Sequence, residues 1–173
     1  MKTKAIAFVC GIILATCAGI YTTVKLLQPK TGYVDLVTVY NEFNMKKELD
    51  NKLQDIQGRR KNIMDSLTLQ LNMLAQRAEL VPEGDSLRYL YMQQRQYYAT
   101  QEEQFLQDNN ATAQTYQQQI WKQINDYVAA YGKENDYSYI FGADGSGSVM
   151  YSEDGNDLTE EMKVYVNSKY EGQ

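Results

Sequence analysis

A single interior proline divides this chain. Pro82 has more than fifty residues on either side with no second helix-breaker of that strength, Pro29 lying close to the start. Proline removes a backbone donor and clashes with the preceding helical turn, so stretches this long without it can run as long helices. The apolar pattern agrees. Leu49, Leu53, Ile56, Ile63, Leu67, Leu71 and Leu74 recur at spacings of three and four, with Arg60 as the one charged residue on the same stripe. A first helix is expected over about 42–80. Val81-Pro82-Glu83-Gly84-Asp85-Ser86 is strong turn punctuation. A second helix then starts near Ser86, its stripe running from Leu87 and Tyr91 through Tyr98, Phe105 and Tyr116 to Ile120, Ile124, Tyr127 and Tyr131, and ends at Gly132. At 1.5 Å per residue each helix is roughly 55–70 Å long. The short turn makes them an antiparallel hairpin.

The second helix is unusually polar. Eleven glutamines fall between Gln93 and Gln123, and Gln94, Gln101, Asp108 and Thr112 occupy the stripe itself. Packing should be firm near the base, at Ile120, Ile124 and Val128, and looser towards the tip.

Short segments flank the hairpin. Thr31 to Tyr40 alternates like a strand, with Asn41 capping the helix that follows. After Gly132 the period changes. Tyr137 to Phe141 reads as a strand, Asp144-Gly145-Ser146-Gly147-Ser148 as a turn, and Val149-Met150-Tyr151 as the start of another strand. Asp157 or Thr159 caps a last helix whose first turn holds Glu160 and Glu161. The chain is therefore expected to be α+β: a small β body (31–40 and 133–173) with a long α-helical hairpin (41–132) inserted in it. Some fifty residues of body bury little apolar surface, and oligomerisation is the simple remedy for the edges left open.

Residues 1–30 form a leader. Lys2 and Lys4 precede an apolar run from Ala5 to about Ile20, the pattern of an export signal. Three fates fit these residues: cleavage after Ala18, retention of Ala5 to Val24 as a membrane anchor, or lipidation at Cys17 in the loose lipobox Leu14-Ala15-Thr16-Cys17. All three carry residues 30–173 out of the cytoplasm.

Composition narrows the chemistry. The chain has no histidine, and its two cysteines, Cys10 and Cys17, both lie in the leader. The body and hairpin thus lack the commonest general base, the commonest metal ligand and any thiol nucleophile. No cofactor and no metal are expected. Asp144, Glu153, Asp154 and Asp157 lack the ligand spacing of a calcium loop. Glu102 and Glu103 are helix neighbours that point about 100° apart, and Ser146 and Ser148 have no histidine to activate them. Charge is uneven as well: residues 42–80 carry seven Lys/Arg against six Asp/Glu, and residues 133–173 three against nine. No basic stripe suits a phosphate backbone, so nucleic-acid binding is not expected.

Gly32-Tyr33-Val34-Asp35-Leu36, a long polar hairpin, Tyr137 to Phe141, Val149-Met150-Tyr151 and Asp157-Leu158-Thr159-Glu160-Glu161 together resemble the Skp/OmpH family of periplasmic chaperones. The resemblance covers roughly residues 31–168 and is specific at the two ends. It implies a homotrimer with a shared barrel-like body and three hairpin tentacles around a cavity. It further implies binding of unfolded outer-membrane proteins without ATP, in the periplasm of a Gram-negative bacterium. Charge is the departure: family members are strongly basic, whereas this hairpin is nearly neutral and the body acidic. An uncleaved leader would replace electrostatic attachment to the membrane by a hydrophobic one, at the inner membrane.

A protein that holds varied partners needs adaptable apolar side chains, a need methionine and tyrosine meet. Met64, Met73, Leu80, Tyr89, Met92, Tyr97 and Phe105, all in the outer hairpin, are the candidate client-binding residues. The competing reading of these residues is that they pack the two helices together. At the level of the whole chain, the rival to a chaperone is a membrane-anchored coiled-coil scaffold or adaptor of the envelope. No residue constellation supports an enzyme.

Overall fold

The computed structural model describes Thr16 and residues 28–172, so what is expected of the leader lies outside the described residues. The body opens with strand β1 (Thr31–Asp35), in which Gly32 and Val34 are buried. The expected strand through Tyr40 stops short, and residues Leu36–Glu42 form a helix instead, α1. The cause is Asp35. Its carboxylate accepts from the Val37 and Thr38 amides at 2.9 and 3.2 Å and from the Thr38 hydroxyl at 2.7 Å. That N-cap, together with full burial of Val39, overrides the strand preference of a Val/Thr-rich run.

Asn41 does not cap the next helix. The chain breaks at Phe43, which is extended and fully buried, before α2 (Asn44–Glu79) begins. The cap comes from far away: Asn167 accepts from the Asn44 amide at 2.8 Å and donates to the Glu42 carbonyl at 3.2 Å. One side chain thereby satisfies an orphan acceptor at the end of α1 and an orphan donor at the start of α2.

The hairpin then follows the stripe. At its tip Gly84 takes φ +91°, Asp85 caps α3 (Ser86–Glu134) through the Leu87 amide at 2.8 Å, and Arg88 Nε holds the Val81 carbonyl at 3.0 Å. Helix α3 passes Gly132 without ending. Termination falls at Asn135, whose amide and side chain both bond the Tyr131 carbonyl, and at Asp136, which adopts φ +57°. Gly132 lies beside Ile140 of the return strand, where a methyl would make ordinary contact at 3.4 Å.

The return strand β2 (Tyr139–Ala143) pairs in parallel with β1, from Thr31 opposite Tyr139 to Asp35 opposite Ala143. Parallel neighbours need a long crossover, and here the entire hairpin is that crossover. Gly142 lets the strand approach α1, because a Cβ there would lie 2.5 Å from Leu36 Cδ1. The other edge of β1 is covered by a bridge from Tyr33 to Asp157, with Leu158 N donating to Tyr33 O at 2.8 Å. The expected strand at Val149-Met150-Tyr151 does not form. Asp144 accepts from the Ser146 amide at 2.9 Å and turns the chain, Gly145 and Gly147 take positive φ, and Met150 and Tyr151 end 92 % and 85 % exposed. Helix α4 (Thr159–Glu171) closes the body, with Asp157 accepting from the Thr159 amide at 2.9 Å.

The result is α+β, and its core lies where the hairpin meets the body. Val34, Val39, Phe43, Leu49, Ile120, Ile124, Leu158, Met162 and Val166 form one buried cluster. Tyrosines ring it: Tyr40 stacks on Trp121 at 4.8 Å, and Phe43 meets Tyr127 and Tyr170 edge-on at 6.2 and 5.5 Å. Two exposed latches tie α4 to the two limbs. Tyr170 donates to Glu48 on α2 at 2.6 Å, and Tyr165 donates to Glu134 on α3 at 2.9 Å. Glu48 also receives Lys52, and Glu134 receives Lys169.

Candidate binding surface on the outer hairpin

Midway along the hairpin the stripe is interrupted by charge. Arg60 donates to Asn109 and pairs with Asp108 at 3.4 Å, and its guanidinium lies 5.6 Å from the centre of the Phe105 ring. Its side chain is only 21 % exposed. This polar layer divides two unlike segments. On the body side, Leu49, Ile120 and Ile124 are buried. On the tip side, only Ala78 is buried within either helix.

The distribution of exposed apolar side chains follows the same line. Among the described residues of the two helices, every large hydrophobic residue that is exposed lies between Ile63 and Leu106. They are Ile63, Leu69, Met73, Tyr89, Leu90, Met92, Tyr97 and Leu106, joined at the tip by Leu80. Scattered exposed hydrophobes are normal on any protein; a set confined to one half of a hairpin is not.

Of the residues singled out from the sequence, Met73, Leu80, Tyr89, Met92 and Tyr97 are exposed on this outer half. Met64 and Phe105 are half-buried, the latter beneath Arg60. Ile63, Leu69, Leu90 and Leu106 are exposed there as well. The stripe places Ile63 in the seam, whereas Leu69, Leu90 and Leu106 are apolar residues off the stripe, on otherwise polar helix faces, a pattern visible in the sequence.

The seam is also imperfectly filled here. Leu67, Leu71 and Leu74 of α2 face Gln94 and Tyr98 of α3 around a recess of about 290 Å³, rimmed by Gln70, Met73, Arg77 and Leu90. A second recess of about 290 Å³ lies among Ala75, Ala78, Glu79, Arg88, Tyr91 and Met92. Among the described residues no group of His, Cys, Asp and Glu is placed to hold a metal, and no helix is long and apolar enough to cross a membrane.

A small α+β body that sends out one long helical hairpin as the crossover between parallel strands is a tentacle-bearing architecture. The chain belongs to the OmpH-like family: the family model described as outer membrane protein (OmpH-like) matches residues 30–165. In fold it is similar to the crystal structure of an OmpH-like protein of Caulobacter crescentus CB15, proposed to be an outer membrane chaperone, with a TM-score of 0.61 and 12 % identity. That likeness spans 82 % of this chain and 86 % of the Caulobacter chain. No curated protein sequence matches significantly.

Proposed function

We propose that this protein is an ATP-independent holdase that binds unfolded outer-membrane proteins between helical tentacles in the periplasm of a Gram-negative bacterium. The observation that carries this reading is the confinement of exposed apolar residues to the hairpin beyond the Arg60 layer. A surface of methionine, leucine and tyrosine on two polar helices offers many weak, adaptable contacts, which suits clients without a fixed shape. Met64, Met73, Leu80, Tyr89, Met92, Tyr97 and Phe105 are the proposed contacts, with Leu69, Leu90 and Leu106 added to them.

A homotrimer completes the reading. Tyr139 and Phe141 stack on each other at 6.0 Å on an exposed face of β2, and Val37 and Val164 are exposed nearby in sequence to buried body residues. Two strands with such a face make a marginal unit alone, and association would cover it. Whether the trimer is free or tethered depends on the fate of the leader.

The test is aggregation of a β-barrel membrane protein diluted from denaturant. The purified protein should suppress light scattering at about one trimer per client, without nucleotide. Failure with several such clients favours an envelope scaffold. Multi-angle light scattering reads the oligomer directly, and a monomer removes the cage.

A further inference from the structure

The larger apolar surface carries the holding reading; one feature on it goes further and bears on which segments are held. The recess at Leu67, Leu71, Leu74 and Leu90 is lined on the α3 side by Gln94 and Tyr98, so a polar amide stands at the seam. The Gln94 amide makes no hydrogen bond within the described chain, and neither does that of Gln70 across the recess. At about 290 Å³ the space falls just under the usual range of small-molecule sites, which points to a single side chain as its occupant.

Charge selects among such occupants. Arg77 is the only charged residue lining the recess. It is exposed, and among the described residues it has no ion pair and no side-chain hydrogen bond. Of the other arginines in the hairpin, Arg60 holds Asp108 and Asn109 and Arg88 holds the Val81 carbonyl; Arg59 and Arg95 are, like Arg77, without an ion pair among the described residues, but neither lines this recess or the second one. The second recess offers no such selection, because Glu79 and Arg88 line it together. A free guanidinium beside an apolar floor accepts a carboxylate in fork geometry while the floor accepts a hydrophobic side chain.

Building on the holdase reading, we propose that this recess takes one aromatic or aliphatic side chain of an unfolded segment whose neighbouring residue is aspartate or glutamate, the carboxylate lying on Arg77. Gln70 and Gln94 supply amide groups for the extended backbone between the two. The tentacle thus discriminates among exposed apolar segments by the charge beside them.

The experiment uses fluorescent ten-residue disordered peptides that differ only in a Phe-Asp, Phe-Asn or Phe-Lys pair, read by anisotropy against the purified protein. Phe-Asp should bind about two- to fivefold tighter than Phe-Asn, the upper part of the range of one exposed charge pair. Arg77→Gln should abolish that difference, and Arg77→Glu should turn it towards Phe-Lys. Gln94→Trp, which fills the recess, should weaken all three peptides. Equal binding of Phe-Asp and Phe-Asn, no binding of any peptide, or a preference that survives Arg77→Gln overturns the proposal. The aggregation assay on the same variants separates the two readings. An Arg77→Gln protein that holds clients as before, with no peptide preference lost, removes the recess and leaves the holdase; a wild-type protein that holds no client removes the holdase itself.

Discussion

The two halves of the hairpin obey different rules although one pair of helices builds both. Below Arg60 the helices are cemented to the body: Leu49, Ile120 and Ile124 join Phe43, Met162 and Val166 in a single core, and α4 reaches both limbs through tyrosine hydroxyls. Above it, the leucines of α2 face glutamine and tyrosine, recesses open at the seam, and apolar side chains stand in solvent. The difference teaches that one fold can combine a firmly packed base with a loosely packed, exposed outer half. Burial is concentrated where the arm is anchored, and the half with few buried contacts is the one that opens at lower cost.

The largest effect should come from the anchor. Phe43 is fully buried at the break between α1 and α2 and touches tyrosines of both α3 and α4. Phe43→Ala should cost about 3–5 kcal/mol, the cost of emptying a large aromatic site. Leu69→Ser and Leu106→Ser, both exposed in the outer half, should each stay within about 0.5 kcal/mol. Urea unfolding followed by circular dichroism compares them. A costly Leu106→Ser would mean that the outer half is packed after all, and the contrast drawn above would collapse.

The boundary itself can be sharpened next. Arg60→Leu would continue the apolar stripe through the polar layer and leave Asp108, already largely exposed, free to face water. We expect a modest gain, below about 1 kcal/mol, because Asp108 is already solvated while the half-buried Asn109 loses the donor it accepts from, which offsets part of the added apolar burial. The gain should be local: backbone amides from Ile63 to Leu106 should exchange more slowly while those around Phe43 do not change. Uniform slowing would show that the two halves open as one unit.

What could be read from the sequence follows the same division. Both long helices, the turn at Pro82 and the last helix were legible because spacing and punctuation are local signals. The body was harder. A Val/Thr-rich run became α1 because Asp35 captured two amides, and α2 took its cap from Asn167, which is 123 residues away in the chain. No local pattern announces a cap of that kind. Met150 and Tyr151 read as strand residues, yet among the described residues no strand pairs with them, and the Asp144 turn leads them away from β2. On the outer hairpin, stripe reasoning separated seam from surface well enough to pick Met73 and Met92. It could not foresee that Arg60 would cover Phe105.

Acid should act on the body first. Asp35 and Asp157 both have carboxyls held below the usual range, Asp35 chiefly by the Thr38 hydroxyl and Asp157 chiefly by that of Thr159. A carboxyl depressed in the folded state stabilises above its unfolded value and loses that contribution as pH falls through the folded one. The protein should therefore lose stability below about pH 4, and Asp157→Asn, which keeps an acceptor but cannot titrate, should lose less between pH 5 and 3. The readout is the difference in Tm between the two proteins across that window. Parallel curves would show that these caps do not contribute to acid sensitivity.

The smallest effect lies at the opposite end of the pH scale. The Tyr170 hydroxyl donates to Glu48, and that hydrogen bond, aided by burial, pushes its pKa up to about 12. Glu48 is held down first by Lys52 and then by Tyr170. For the tyrosine the sign is the reverse of the aspartates. Its raised value favours the neutral folded form, so its contribution is complete below pH 10 and drains away as pH climbs towards 12. Many tyrosines and lysines titrate in the same range, which makes the wild-type curve uninformative by itself. The difference between wild type and Tyr170→Phe isolates the latch: it should be constant up to about pH 10 and shrink above it. A fluorophore pair on α4 and the outer hairpin adds the structural consequence, since losing this tether loosens the α2 limb, which keeps the hydrogen bonds of Asn44 to Asn167 and Glu171, while Tyr165 still grips α3. If the angle between limb and body stays fixed in Tyr170→Phe, anchoring belongs to the buried cluster around Phe43 alone, and the tyrosine latches only decorate it.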